Sequence, residues 1–377
     1  MLSTAAGYLL TRRKAVTLTL ATGDDDTGAR ELLVTMWNNL HPDVRIDVIE
    51  VNSSTRDQYD KFIDTRADIY NLDVIHIPRF VQEKRIVSFN PGNDIQLLEP
   101  VRRLTERPGT DEFWAVPFNS DVGMLYRRVT DKNAPDREPT LQDVMRGAPN
   151  QFVGQLKTVG PLTDEAFVVN VLEQALAQDA AILDEQGTLS YSVGQWMEAL
   201  KPLADAIRRE RVDGVAGEDE TERTFEQENR RYMRNWPVHY PKVNLTESGD
   251  PDTVQIRLGE LTTGIIGGQN LAISADTDHR AEAERVIHFL TDTPAQKLLA
   301  TYGFAPTGSD AYNDQYLTDS VPQLKVVRNA VTHSKPRPMH PNYAEFAGRF
   351  ADHMTRFLYQ HEPLSTEFIK DIQGALR

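Results

Sequence analysis

Cysteine is absent from all 377 residues, which removes disulfide frameworks, thiolate nucleophiles, zinc ribbons and iron–sulfur clusters together. It leaves the redox compartment open, because a chain without thiols folds in either. Positive charge is in short supply: 41 Lys plus Arg stand against 56 Asp plus Glu, a formal net charge of −15. A field of that sign repels phosphate backbones and anionic headgroups, which argues against nucleic acid and membrane-surface partners. It suits neutral or cationic ligands without choosing between them. No stretch reaches the ~20 apolar residues of a membrane-spanning helix. Internal repeats and low-complexity tracts are missing as well. What remains is an ordinary globular composition, 40% hydrophobic and 26% charged, at a length that fits two or three domains.

Catalytic signatures are scarce too. There is no phosphate-binding G-x-x-x-x-G-K-[ST], and Gly264, Gly267 and Gly268 do not make a dinucleotide fingerprint. There is no G-x-S-x-G elbow, and the nine histidines include no H-E-x-x-H. His76, within an apolar run, reads as a satisfied core or rim residue. Asp24-Asp25-Asp26 lacks the alternate spacing of a calcium loop. Carboxylates are plentiful, but nothing places two at a glycosidase spacing. No catalytic residue, metal site or cofactor is therefore expected.

The chain itself reads as strand and helix in alternation. VTLTLAT at 16–22 and VRIDVIEV at 44–51 alternate apolar and polar residues, and LDVIHI at 72–77 is a short apolar strand. Between them, Leu32, Leu33, Met36, Trp37 and Leu40 recur at helical spacing over 28–40, as do Tyr59, Phe62 and Ile63 further on. This order predicts a parallel sheet covered by helices. Residues 113–127 read as a strand interrupted by Pro117 and Asn119-Ser120-Asp121, leaving one sheet for another. The middle, 140–235, reads as mostly helical, with a Ser192–Gln195 capping box, a kink or break at Pro202 and a loop over 212–221. A return crossing falls at 261–274, followed by helices near 279–291 and from an N-cap at Thr293, the latter closed by Gly303; the tail from 341 is helical. Two α/β lobes that exchange chain more than once, with a cleft between them and a hinge of crossing strands, follow from this order.

Candidate ligand contacts come from position. Asp24, Asp25 and Asp26 follow the first strand, at the carboxyl end where open α/β sheets bind ligands; helix capping explains the same acids equally well. Arg79 and Phe80 take the equivalent place after the third strand. Tyr232, Trp236 and Tyr240 lie four apart, but Trp236-Pro237 argues against a continuing helix. An aromatic at such a turn is suited to stacking on a sugar face. Arg230, Arg231 and Arg234 read as a solvated face.

FWAVPFNSDVGMLYRR, MRNWPVHYP, GGQNLAIS, VIHFLTDTPAQKLLATYGFAPTGSDAYND and KPRPMHPNYAEF occur in that order. Together they resemble the family 1 extracellular solute-binding proteins of ABC importers, those for maltose- and trehalose-like sugars especially, from about residue 16 to the end. The resemblance implies a two-lobed, type II periplasmic-binding-protein-like α/β fold that closes on its ligand. It places Asn119, Asp121, Trp236, Gly268, Gln269 and Asn270 about the cleft, and Glu165 where relatives carry a sugar-binding Glu; Tyr240, four residues after Trp236, is a further candidate from its spacing. It implies a monomer that delivers a di- or oligosaccharide to a membrane permease from an extracytoplasmic position, tethered in the full-length product. Residues 1–15 are then a linker or the remnant of an anchor, 16–117 plus 272–310 one lobe, and 118–271 plus 311–377 the other. Relatives tethered through a processed cysteine differ from this chain, which has none, so a ligand-sensing domain of a larger membrane protein stays open. So do a glycoside-active enzyme and a peptide or polyamine ligand.

Overall fold

A computed structural model describes residues 15–377 apart from 52–54, 93–94, 131–137, 159–164, 185 and 248–253, with no side-chain description for 55–58, 180 and 246–247. The expected linker at 1–15 lies outside the described residues but for Ala15. β1 (Val16–Thr22) pairs in parallel with β2 (Val44–Glu50) and with β3 (Ile69–Asp73). The helix Ala29–Leu40 covers them through Ala29, Leu33, Val34 and Trp37, all buried. Of its expected apolar set only Leu33 and Trp37 face the core. Leu32, Met36 and Leu40 face outward, and Leu40 is 63% exposed.

The third strand ends four residues earlier than its composition suggests. After β3 comes a single 3-10 turn, Val74–His76, and then the helix Ile77–Gln82. The Asp73 carboxylate accepts a hydrogen bond from Ile75 N (3.1 Å), and Pro78 sits in the first helical turn, so local capping overrides apolar continuity. Two further strands join this sheet, β4 (Ile86–Val87) and β5 (Val116–Val122). β5 runs through Asn119-Ser120-Asp121 without interruption. Pro117 costs little there, because the β5 pairing shifts register opposite it.

The second sheet that the 113–127 strand was expected to enter is present, and it draws three short strands from 140–235, which was expected to be mostly helical. It contains β6 (Met124–Val129), β7 (Phe152–Gly154), β8 (Val212–Gly214), β9 (Tyr232–Asn235) and β10 (Gln255–Glu260), in the order β10-β6-β9-β7-β8. The short strands β7 to β9 carry too few residues to show an alternation. The expected loop at 212–221 is β8 followed by the start of the helix Glu218–Gln227. The capping box is present, and the helix Val193–Arg208 runs on through Pro202. The Glu198 carbonyl that loses its donor lies on the exposed side, where water can replace it. Trp196 on the same helix is fully buried, 5.7 Å from the rings of both Phe350 and Phe368.

The chain then returns to the first sheet. β11 (Ile265–Ser274) pairs antiparallel with β3, β4 and β5, and in parallel with β12 (Lys335–Pro336). The helix Thr293–Thr301 is capped by Asp292, which accepts from Ala295 N, and not by Thr293. The helices Tyr343–Tyr359 and Thr366–Ala375 pack on the second lobe. Sheet membership thus puts the first crossing at Gly123, the second at 261–264 and the third just after β12. The expected boundaries at 117/118 and 271/272 fall inside β5 and β11, and the helix Leu324–Thr332 packs on both β5 of the first sheet and β10 of the second.

Glycine is required at the first crossing. A Cβ on Gly123 would lie 2.1 Å from Glu173 Oε1 and 2.8 Å from Arg234 Nη2. At Gly268, φ is +123° and a Cβ would lie 2.2 Å from the Asn119 carbonyl oxygen, so the close approach of β11 to β5 also demands glycine.

Candidate functional site

A cavity of about 840 Å³ opens between the lobes beside the crossing strands. The first lobe lines it with the 23–27 loop after β1, Asp73 at the end of β3, Phe118, Asn119 and Asp121 of β5, Gly267 to Gln269 of β11, and the Tyr302 and Phe304 rings. The second lobe contributes Glu165, the acids Glu218, Asp219 and Glu222, the Trp236–His239 turn, and Lys242 and Leu245.

Trp236 is the N-cap of a 3-10 turn and has an extended backbone, φ −82° and ψ 157°, as the following proline favours. Its ring is held from several sides. Arg234 lies beneath one face, with Cζ 3.8 Å from the ring centroid. The indole N–H donates to Glu218 Oε1, and the backbone N–H donates to Asn235 Oδ1 (2.9 Å). Since Arg234 is buried, the exposed part of the half-buried ring lies on the side away from it.

Across the cavity, Asn119 Nδ2 donates to Asp121 Oδ2 at 3.2 Å, while Asp121 Oδ1 is buried without a partner among the described residues. Burial, then the nearby charges of Glu218 and Asp73, push the Asp121 carboxyl up to about 8, with His239 and Arg337 offsetting part. Burial alone would lower His239. Hydrogen bonds and charge from Glu218 and Glu222 prevail and raise it to about 9. His239 Nδ1 is 2.7 Å from Glu222 Oε2, and Lys242 pairs with the same carboxylate. One acid is thus held protonated near neutral pH while its neighbours are held ionised.

The aspartate loop divides by role. Asp25 accepts from Thr27 N (3.0 Å), Thr27 Oγ1 (2.6 Å) and Arg30 N (2.9 Å), which is capping work. Asp24 and Asp26 are exposed at the cavity wall. Gln269 accepts from Asn71 Nδ2 at 2.6 Å and keeps its place on the wall. Asn270 is buried and donates to the carbonyls of Leu72 and Gly268, so it serves the bulge.

Glu165 reaches the cavity but is occupied. It accepts from Arg337 Nη1 and from the Tyr343 hydroxyl (2.8 Å), and Arg337 Nη2 is 2.9 Å from Asp73 Oδ1. Arg337, 2% exposed, thereby straps the end of β3 to the second lobe. The displaced third strand puts Asp73, not Arg79-Phe80, at its carboxyl end. Phe80 is in the core, and Arg79 pairs with Glu83 over the Tyr59 ring, lining a second cavity of about 810 Å³ on the other side of Glu165. Tyr240 donates to the Ile256 carbonyl and faces a groove apart from the cleft. His76 is buried, but its Nε2 has no partner among the described residues, against the expectation of a satisfied residue.

Sequence reasoning missed Asp73, Glu218, His239, Arg337 and the Phe118, Tyr302 and Phe304 rings. Pro78 was the available signal for Asp73, since it marks a helix start. Arg234, read as solvated, is 1% exposed. The acids at 218–222 give no signal apart from helix N-terminal preference.

Two lobes joined by crossing strands, with a cavity at the junction, make this the two-lobed periplasmic-binding-protein fold. The chain superposes on the maltose-bound MalE3 of T. maritima with a TM-score of 0.80, at 22% identity, over 96% of this chain and 99% of that one. The GacH receptor of Streptomyces glaucescens, studied unliganded and with acarbose, gives 0.79 at 14% identity over 96% and 98%. A solute-binding protein of Thermotoga lettingae bound with α-D-tagatose gives 0.77 at 16% over 96% and 98%. In sequence, the chain is 26% identical over 299 residues to a probable ABC transporter-binding protein of Deinococcus radiodurans, covering 72% of this chain and 70% of that protein. No protein-family model matches.

Proposed function

We propose that this chain is an extracytoplasmic solute-binding protein that captures a carbohydrate, a di- or oligosaccharide, between its lobes and delivers it to an ABC importer in the membrane. The observation that carries the reading is the pairing of a half-open tryptophan face with a buried, partnerless carboxyl oxygen across one cavity. A sugar presents an apolar C–H face and a rim of hydroxyls, and this cavity supplies a counterpart to each. Stacking gains about 25 cal/mol per Å² of apolar area removed from water. A hydroxyl left unpaired in a closed cleft costs roughly 1–3 kcal/mol, so Asp121 and Asn119 set selectivity. The volume is within the usual range for small-molecule sites. Similar structures solved with maltose, acarbose and tagatose support the ligand class, and the Deinococcus relative supports the importer. The partners are then the sugar and a permease, with the chain acting as a monomer tethered at the membrane. Among the described residues no helix is long and apolar enough to cross a membrane.

The test begins with a thermal-shift screen of neutral and amino-containing sugars, where a ligand at 100 Kd adds about 2.7 kcal/mol of stability. Calorimetry on the best ligand then compares variants. Trp236→Ala is expected to weaken every sugar, and Asp121→Ala to weaken them unequally according to the hydroxyls they present. Parent-like binding by Trp236→Ala beside a lower melting temperature makes the tryptophan a core residue. One observation favours a second reading: a raised Asp121 beside an ionised Glu218 resembles an acid–base pair. Release of glucose from maltose on prolonged incubation would select the enzyme.

A further inference from the structure

Arg234 and Glu173 do not line the cavity, and the function above gives them no task. Both are about 1% exposed. Arg234 Nε donates to Glu173 Oε2 at 2.7 Å and Nη2 donates to Oε1 at 2.9 Å, a bidentate pair deep in the second lobe. Gln155 Oε1 accepts from Nη1 at 3.2 Å and also from Asn170 Nδ2 at 2.7 Å. A buried pair of this kind is a poor source of net stability, because desolvation offsets the attraction. Its surroundings give it another use.

Glu173 Oε1 also accepts from Ile265 N at 3.2 Å, the first residue of β11 after the second crossing. The same oxygen fills the space above Gly123 at the first crossing. Through Arg234 the carboxylate reaches the Trp236 ring, 3.8 Å away. Two hinge crossings and the indole thus converge on one ion pair.

We infer that Arg234 and Glu173 are positioning residues: the pair fixes the tilt of the Trp236 indole and ties that tilt to both hinge crossings. A change of backbone angle at Gly123 or Ile265 is then felt at the stacking face through two rigid, planar groups. The affinity part of this inference rests on the carbohydrate reading; the geometric part does not.

The test uses the full chain. Arg234→Met combined with Glu173→Gln removes both charges, leaves no buried lone charge, and keeps an acceptor for Ile265 N–H. Difference near-ultraviolet circular dichroism against Trp236→Phe isolates the band of this indole from the other three tryptophans. The double variant is expected to unfold cooperatively, to lose that band, and to bind maltose about tenfold more weakly, as a misaligned stacking face would. Arg234→Lys keeps an ion pair but not the planar stack; it is expected to lose the band with little change in melting temperature, and it decides the matter if the double variant does not fold. An unchanged band and unchanged maltose affinity overturn the inference and leave the pair a structural one. If the parent binds no sugar, the carbohydrate reading fails while the dichroic band still judges the positioning role.

Discussion

Asp121 has one carboxylate oxygen on Asn119 and the other on nothing, and its raised value makes it a proton reservoir of the folded state. In an unfolded chain it titrates near ~3.9. Between that value and about 8 the folded protein holds a proton that the unfolded one has released, so stability falls as pH rises through the window. His239, raised to about 9 from 6.5, acts the same way over its own window: its contribution is whole below 6.5 and lost as pH rises through 9. The urea midpoint of the parent is therefore expected to drop between pH 5 and pH 9, and that of Asp121→Asn to drop less; equal drops remove Asp121 from the account. His76 runs the other way. Burial lowers it to about 4, outweighing the charge of Glu165, so its contribution is whole above 6.5 and lost as pH falls through 4. His76→Gln is expected to flatten the acid limb of the same series.

The helix Val193–Arg208 joins a cost and a gain in one element. Pro202 forfeits a hydrogen bond in the helix interior, while Trp196 closes the core between Phe350 and Phe368. Trp196→Ala is expected to cost about 3–5 kcal/mol in denaturant unfolding. Pro202→Ala is expected to add about 2 kcal/mol, the interior penalty of proline less the stiffness it gives the unfolded chain. Such elements were legible because their signals are local: a capping box, a 3.6-residue stripe, a glycine at 303. Strands β7 to β9 were not, since three or four residues carry no period. The end of β3 was misplaced because apolar residues continue past Asp73 into a turn, where hydrophobicity no longer reports the backbone. The site follows the same division. Trp236 announced itself through the proline after it, whereas Glu218 and His239 meet only through the folding of the second lobe, and Arg337 joins the site only where the two lobes come together.

For the whole molecule, the crossings at Gly123, 261–264 and after β12 are where rotation of the lobes, with each core rigid, is expected. Solution scattering is expected to show a smaller radius of gyration with saturating sugar, and an unchanged profile beside proven binding argues against closure. Arg337, which straps Asp73 to Glu165, lies just after the third of these crossings. The existence of two lobes could be read from the order of strand and helix signals, but their limits could not. Strands β5 and β11 look like connections in sequence because each carries polar or glycine residues midway; pairing alone assigns them to the first sheet.

The place of β11 has a consequence for synthesis. It supplies partners for β3, β4, β5 and β12, and the Asn270 side chain reaches a carbonyl 198 positions earlier. A ribosome releases β1 to β5 long before this strand, so the first lobe waits with open edges while the second is made. Contacts of such separation are slow to form, and unpaired edges invite association with other chains. A nascent chain halted before residue 265 would carry two-thirds of the protein and no finished first lobe, open to proteases and in need of a chaperone until the strand arrives.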